Sequence, residues 1–274
     1  MPSATADSYV DLFDYAAQPL TRIVCPLCGT DNPSHPRTDR YGYAIGLSRC
    51  RCGLTYLNPR MSAAQYVTFY QTAYRPMASR FCQIDTTGPI ADRASRRRGR
   101  LIGHTLANGG IRAMALLDVG GGSGVVTREI AAALQCPSVT VVDPNADDIR
   151  VVEREGGVGI LGTPETLPPL PAQYDLILSL QTADHWLDPL AVLRWMRAAC
   201  RAGGHLWIDI VDVVEREKRT PRACHWKIDH PLYWSSASVL RALAQTGWRA
   251  RQRYHETHFG RPKWHRPAFF CEGV

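Results

Sequence analysis

The amino-acid sequence predicts an α/β protein with a doubly wound, mostly parallel sheet, an antiparallel C-terminal edge and a small N-terminal cysteine module. Three observations lead to this prediction. An apolar segment at residues 115–117 breaks into a glycine-rich turn and is followed by a helical stretch. Further apolar runs alternate with helical stretches up to residue 211, which is typical of a parallel sheet. Four cysteines cluster between residues 25 and 52.

The glycine-rich turn is the most informative segment. Residues 115–117 are predicted to form a buried strand, and residues 125–134 a helix. Ligands of doubly wound sheets bind at the carboxyl ends of strands, and glycine lets the backbone approach a ligand closely. A dinucleotide fingerprint would need a third glycine where Val125 stands. The spacing is instead D-x-G-x-G-x-G, formed by Asp118, Gly120, Gly122 and Gly124. A turn that only closes a strand–helix junction is the alternative.

The next predicted strand, residues 139–143, ends in an acidic residue. A carboxylate at the end of the second strand can accept hydrogen bonds from both ribose hydroxyls of a bound nucleoside. We therefore expect Asp143 to bind a ribose and Pro144 to line the adjoining base. Asp143 could instead cap the following helix, although Asn145 and Asp147 are also available for that role.

The following segments continue the alternation of strands and helices. A short strand at residues 158–161 precedes a polar, proline-rich loop, and an apolar strand at residues 174–180 ends at Gln181. Residues 190–201 are predicted to be helical, with the pair Gly203-Gly204 as the stop signal. The remaining predicted elements are a strand at 205–211, a helix at 236–246 and edge strands at 248–254 and 268–271.

These segments resemble class I S-adenosylmethionine (SAM)-dependent methyltransferases, which have a Rossmann-like sheet. The glycine turn is similar to motif I of that family, and Tyr174-Asp-Leu-Ile is similar to its F-D-x-I strand. Asp184-His-Trp-Leu-Asp188-Pro189 resembles its E-H-x-x-D-P signature, with Asp184 in place of Glu. The resemblance implies SAM as the cofactor. The expected cofactor-binding residues are Asp118, Gly120, Gly121, Gly122, Asp143, Pro144, Pro164, Glu165 and Gln181.

The early cysteines have the spacing of a metal site. They are Cys25, Cys28, Cys50 and Cys52, and each pair is followed by a glycine that permits a tight turn. Four thiolates favour structural Zn²⁺ in tetrahedral coordination, so we expect a zinc ribbon. The second pair departs from C-x-x-C because Arg49 occupies the usual position of its first cysteine. Either Cys50 or His35 then completes the site. Free or redox-active thiols are the alternative.

The region around these cysteines resembles a bacterial group of small-molecule methyltransferases. That group begins with C-P-x-C-G, continues with C-G-L-x-x-x-N-P-R and then has a helix with spaced tyrosines, as in this chain from Cys25 onward. Tyr66, Tyr70 and Tyr74 are spaced by four and share one helical face. We expect Tyr66 and Tyr70 to pack this helix on the core. For Tyr74, packing and lining of the cofactor or acceptor pocket both remain open.

Methyl transfer to an oxygen or carbon acceptor requires a base, whereas a neutral amine or a thiolate needs none. His185 follows the fourth strand, near the expected acceptor, and imidazole titrates in a range suited to proton removal near neutral pH. Packing or helix capping is the alternative role of His185. The segment at residues 224–234 resembles a family insertion that often closes over the acceptor. It offers His230 as a base or orienting group, with His225 and Tyr233 as further candidates.

Composition and charge restrict the possible partners. The chain has 274 residues, and none of its apolar runs is long enough to span a membrane. A net charge of +7 and five arginines in the predicted helix at residues 92–106 would suit a nucleic acid. These arginines, however, lie on several helix faces and lack the interleaved aromatic residues of single-strand binders. We expect a small-molecule acceptor, with structured RNA as the alternative substrate.

The cysteine count and the N-terminal residues predict a cytoplasmic protein. Nine cysteines are spread over the chain, and the first 22 residues lack a basic segment followed by an apolar core. The sequence does not predict an oligomeric state. The predicted organisation is an N-terminal segment at 1–20, a zinc ribbon at 21–60, a helical connector or cap at 61–113 and a SAM-binding domain at 114–274.

Overall fold

The computed structural model describes residues 9–83, 85, 88–220, 225–258 and 261–274, so Cys224 of the insertion lies outside the described residues. The strands are β1 (His35–Thr38), β2 (Ala44–Arg49), β3 (Thr55–Leu57), β4 (Ala115–Val119), β5 (Ser138–Asp143), β6 (Val158–Leu161), β7 (Tyr174–Ser179), β8 (Cys200–Asp209), β9 (Leu232–Tyr233), β10 (Trp248–His258) and β11 (Arg261–Gly273). The helices are α1 (Ala63–Thr72), α2 (Tyr74–Cys82), α3 (Pro89–Asn108), α4 (Val125–Leu134), α5 (Ala146–Arg154), α6 (Pro189–Ala199), α7 (Val213–Arg219) and α8 (Ser236–Gln245). Of the helices in the described ranges, none combines the length and apolar character needed to cross a bilayer.

The larger sheet has seven strands in the spatial order β10-β11-β8-β7-β4-β5-β6. The five strands from β8 to β6 are parallel, whereas β11 pairs antiparallel with both β8 and β10. Leu116, Leu117 and Ile177 of the central strands are fully buried, as expected for strands covered by helices on both faces. The predicted fold class, a mostly parallel α/β sheet with an antiparallel C-terminal edge, is confirmed.

The order of the strands defines a crevice at the carboxyl end of β4. The chain continues from β4 to β5 and β6 on one side, and then returns to β7 and β8 on the other side. Ligands of open α/β sheets bind at such a switch point. The helix after β5 is capped by Asn145, whose side chain accepts the N–H groups of Asp147 and Asp148. Asp143 therefore does not cap this helix, and its carboxylate faces the crevice.

A smaller antiparallel sheet has the order β1-β2-β3-β9. Its fourth strand comes from the late insertion, where Tyr233 pairs with Thr55. The cysteine module shares one apolar core with the larger sheet, because Leu54 and Tyr56 belong to the same buried cluster as Leu117 of β4 and Ile177 of β7. The sequence did not indicate this joining of residues distant in the chain.

Two predicted helix boundaries were wrong. The tyrosine-bearing stretch divides at Ala73 into α1 and α2, so Tyr74 begins the second helix. The helix predicted to end at residue 201 ends at Ala199, and β8 begins at the next residue. Gly203 and Gly204 lie inside this strand, where the pairing of β7 and β8 shifts register. A Cβ at Gly204 would lie 2.6 Å from the sulfur of Cys200, so this irregularity requires glycine.

Candidate active site

The glycine loop follows directly after β4. Gly120 has a φ of +75°, and its N–H donates to Val142 O at 2.7 Å, which ties the loop to the end of β5. A Cβ at this position would overlap with the side chain of Thr182. Glycine therefore satisfies both the left-handed backbone conformation and the close approach of Thr182.

Asp143 lies at the carboxyl end of β5 and faces this loop. Its Oδ2 accepts the N–H of Gly122 and its Oδ1 accepts the N–H of Asn145, each at 2.9 Å. Burial raises the pKa of Asp143 to about 6, so the side chain is mostly ionised at neutral pH. Each oxygen retains a second acceptor position, and the carboxylate can therefore also accept hydrogen bonds from the hydroxyl groups of a ligand.

Two adjoining cavities of about 720 and 690 Å³ open over the loop. The residues that line both are Tyr70, Gly120, Pro144, Thr182 and His185, so the two cavities form one cleft. Its larger part also contacts Gly122, Asp143 and Gln181, and its smaller part also contacts Pro164 and Glu165. A cleft at the switch point of such a sheet is a usual place for a small ligand. Seven of the nine expected cofactor residues thus line one cleft.

The structure places the other two expected cofactor residues, Asp118 and Gly121, outside the lining of the cleft. Asp118 is 1% exposed beneath the loop, and its Oδ2 accepts a hydrogen bond from Thr127 of α4. Burial raises the pKa of Asp118 to about 7. A Cβ at Gly121 would lie 2.6 Å from the same carboxyl oxygen. Both residues therefore shape the loop from below.

Gln181 lies just beyond the end of β7, in a left-handed conformation with a φ of +56°. Its N–H donates to Asp209 Oδ1 at 2.7 Å, and its side chain is exposed at the mouth of the cleft. Gln181 also lines a third cavity of about 750 Å³, whose walls include the apolar side chains of Leu101, Trp207 and Tyr254. Gln181, at the end of β7, therefore borders both the cleft and this third cavity.

His185 ends a single 3-10 turn, Ala183–His185, and lines both parts of the cleft. Its Nδ1 lies 2.7 Å from the hydroxyl oxygen of Tyr70, and this hydroxyl donates to Asp229 O at 2.8 Å. Among the described residues, none forms a hydrogen bond with Nε2 of His185. This nitrogen can accept a proton from a molecule in the cleft. Tyr70, expected only to pack, is part of the cleft wall.

His230 is buried beside His185, with the two ring centroids 4.7 Å apart. Its Nδ1 lies 2.8 Å from Asp184 Oδ2, and its Nε2 lies 2.7 Å from Lys227 Nζ. Burial lowers the pKa of His230 to about 4, so the ring is neutral, donates from Nδ1 and accepts at Nε2. Both nitrogens are therefore occupied. Of the two expected roles, base and orienting group, the geometry supports the orienting one.

The ligand atoms of Asp184, His185 and His230 lie within 4.8 Å of one another, which is close enough for a shared metal ion. The ammonium of Lys227, however, contacts His230 and opposes a second positive charge. We therefore describe Asp184 and His230 as a hydrogen-bonded pair, with the ring of His185 packed against His230.

The two further candidates, His225 and Tyr233, form hydrogen bonds that stabilise the insertion. His225 Nε2 lies 2.9 Å from Thr220 O. The hydroxyl of Tyr233 donates to Lys227 O at 2.8 Å and accepts the N–H of the same residue at 2.6 Å. Neither side chain lines the cleft, so neither is placed to contact a ligand there.

The four early cysteines converge, with all sulfur atoms within 4.8 Å of one another. Cys25 and Cys52 are 3.6 Å apart between sulfurs, and Cys28 and Cys50 are 3.3 Å apart. Four sulfurs at about 2.3 Å from a tetrahedral zinc ion lie about 3.8 Å from one another. The donor set therefore fits zinc. Cys50 completes this group, and His35 does not belong to it.

Two contacts of the cleft were missed by sequence reasoning. The contact of Tyr70 with His185 joins residues 115 positions apart. Arg75 lines the cleft and forms an ion pair with Asp148 of α5. The spacing of the tyrosines indicated a common face, but it did not show what that face contacts.

Comparison with known proteins identifies the central part of the chain. A family model described as "Methyltransferase domain" matches residues 92–253. The ubiquinone biosynthesis O-methyltransferase of Methylobacterium sp. (strain 4-46) is 31% identical over 121 residues, which is 42% of this chain and 47% of that protein. The protein of the same name from Serratia proteamaculans (strain 568) is 28% identical over 38% of this chain and 45% of its own length. The chain spans about half the length of the curated relatives it matches.

Solved structures share the fold at low sequence identity. The 1,6-didemethyltoxoflavin-N1-methyltransferase of Burkholderia thailandensis has a TM-score of 0.57 and 16% identity, covering 88% of this chain and 99% of that one. A SAM-dependent methyltransferase from Clostridium acetobutylicum ATCC 824 has a TM-score of 0.54 and 10% identity, covering 72% and 98% of the two chains. At these identities the similarity concerns the fold alone.

Proposed function

Because the chain belongs to the methyltransferase domain family and is a SAM-dependent methyltransferase, we propose that it methylates a small molecule, a sugar or natural-product intermediate. The acceptor atom loses its proton to His185. The observation that carries this proposal is that Asp143 and His185 line the same cavity. A nucleoside held at Asp143 and an acceptor deprotonated at His185 then share one space, which favours reaction by proximity and orientation.

The residues of the cleft suit the parts of the cofactor. SAM, when bound, supplies an electrophilic methyl group on a sulfonium. Asp143 would accept hydrogen bonds from the ribose hydroxyls, and Pro144 and Pro164 would line the adenine. The backbone at Gly120 would lie against the amino-acid tail, because this residue lines both parts of the cleft.

The base and its surroundings suit an acceptor that must lose a proton. Nε2 of His185 takes this proton, and a base in position typically contributes about 10²–10⁴-fold to the rate. Asp184 stays ionised next to it: burial opposes ionisation, but His230 and His185 hold the pKa of Asp184 well below its usual range. A nearby carboxylate stabilises the imidazolium that forms. The name of the O-methyltransferase relatives supports a hydroxyl group as the acceptor.

The contacts of helix α3 favour a small molecule over RNA. Arg96 and Arg100 contact the carboxylate of Glu129 at 3.1 and 3.8 Å, and Arg98 pairs with Asp209. Three of the five arginines that suggested a nucleic acid are therefore already paired with carboxylates. The third cavity, beyond Gln181, has mostly apolar walls and gives room for the remainder of a ring-bearing acceptor.

We propose that the four cysteines hold one structural zinc ion. Four sulfur ligands leave no open position, so this ion would take no part in methyl transfer. The thiolates would fasten the turns around Cys25 and Cys52, which are buried against the core of the larger sheet. The zinc would thus stabilise the module next to the insertion that carries His230.

Mass spectrometry of products tests the proposed substrate class. The purified protein is incubated with SAM bearing a deuterated methyl group and either a small-molecule extract or total RNA from a bacterium. The His185→Ala variant serves as the control for uncatalysed labelling. We expect the label in a compound of the small-molecule fraction. Label confined to RNA would overturn the proposal and select the alternative substrate.

A further inference from the structure

We propose that Tyr70 is a positioning residue that holds His185 with its proton on Nδ1, leaving Nε2 as the basic nitrogen in the cleft. This inference rests on the proposed function, in which His185 is the base. It assigns a role to a side chain that lies on α1, outside the catalytic sheet and far from His185 in the chain.

The number of protons in this contact decides the arrangement. The phenol of Tyr70 has one proton and two partners, His185 Nδ1 at 2.7 Å and Asp229 O at 2.8 Å. A carbonyl oxygen only accepts, so the phenol donates to Asp229 O. The phenol oxygen must then accept a hydrogen bond from Nδ1–H of His185. A neutral imidazole carries one proton, and Nε2 is therefore left with a free lone pair.

The opposite arrangement is unfavourable. If Tyr70 donated to His185 Nδ1, Asp229 O would lose its hydrogen bond in a residue that is fully buried. Within the described residues, Tyr70 is the only donor to this carbonyl. A buried carbonyl without a donor is costly, and this cost favours the first arrangement. Burial also raises the pKa of Tyr70 well above its ordinary value, so the phenol keeps its proton.

The surrounding rings restrict the orientation of His185 as well. His230 packs edge-on against it, and the ring of Tyr74 approaches with a centroid distance of 6.1 Å. His230 cannot replace Tyr70 as the acceptor for Nδ1–H, because its own nitrogens bind Asp184 and Lys227. Tyr70 is thus the group that selects the tautomer.

Histidine-labelled protein provides a direct test. Long-range ¹H–¹⁵N correlation spectra distinguish the two neutral tautomers, and a His185→Gln variant identifies the signals of His185 among the nine histidines. We expect the Nδ1–H tautomer in the wild-type protein and a shift towards Nε2–H in Tyr70→Phe, which retains the ring but loses the hydroxyl. The Nε2–H tautomer in the wild-type protein would overturn the inference, and this measurement needs no variant of Tyr70 and no known acceptor.

Kinetics provide the second readout. In Tyr70→Phe, kcat should fall about tenfold or more, because a fraction of the molecules then carries the His185 proton on Nε2, where it blocks the basic nitrogen. The affinity for SAM should be retained. Tyr43→Phe is the matched control, because Tyr43 is a buried tyrosine that donates to the carbonyl of Phe13, away from the cleft. An equal loss of kcat in both variants, or no loss in Tyr70→Phe, would contradict the positioning role. Full turnover in His185→Gln would instead refute the proposed base, whatever the tautomer.

Discussion

Replacing Asp143 by alanine should weaken SAM binding about 100-fold. The substitution removes both carboxylate oxygens that face the cleft, each of which has a free acceptor position beyond its backbone bond. Hydrogen bonds to charged groups contribute about 1.5–3 kcal/mol each. Two such bonds to the ribose therefore give about 3 kcal/mol at the lower limit, and about 1.4 kcal/mol corresponds to a factor of ten in Kd.

Isothermal titration calorimetry measures this loss directly. Asp147→Ala is the matched control, because Asp147 lies four positions further on and is exposed at the start of α5. The pH dependence adds a second test. The pKa of Asp143 in the free protein is raised to about 6, and binding requires the ionised form. Affinity should thus fall as the pH drops below about 6, and this decline should be weaker in Asp143→Ala. Equal affinities of Asp143→Ala and wild type would refute the ribose contact.

Three further predictions concern the base, the loop and the cysteines. His185→Ala should reduce turnover about 100-fold with little change in SAM affinity, because the base acts on the acceptor; steady-state kinetics with calorimetry check both, and unchanged turnover would leave His185 a packing residue. Gly120→Ala should abolish measurable SAM binding and lower the melting temperature, since the left-handed backbone costs about 1–2 kcal/mol and the methyl group meets Thr182; wild-type affinity and stability would count against the tight loop. Metal analysis should find about one zinc per chain and much less in Cys25→Ser, which should also melt at a lower temperature; metal-free wild-type protein of normal stability would argue for ordinary thiols.

The central fold was predictable because its signals are local. The predicted bounds of β6 and of the helix after the glycine loop, Val125–Leu134, agree with the structure, and β4 extends two residues beyond its predicted end. The clustering of the cysteines followed from their spacing, although the exchange of C-x-x-C for C-x-C left the fourth ligand open. Gly53, with a φ of +93°, allows the chain to turn directly after Cys52.

The sequence predictions that were wrong or incomplete concern features that depend on contacts between residues distant in the chain. Gly203 and Gly204 have the composition of a helix stop, but their role depends on the register of β8 against β7. The position of Asp118 suggested a ligand contact, whereas burial under the loop and the bond to Thr127 turn it inward. The role of Tyr70 required the insertion to fold back on α1, and no local pattern carries that information.

A crystal structure with S-adenosylhomocysteine tests the central claim most directly. The claim is that a nucleoside binds at the carboxyl ends of β4 and β5. The account predicts both ribose hydroxyls within hydrogen-bond distance of the Asp143 carboxylate and the adenine between Pro144 and Pro164. A nucleoside bound elsewhere, with the Asp143 carboxylate making no contact to it, would contradict the account.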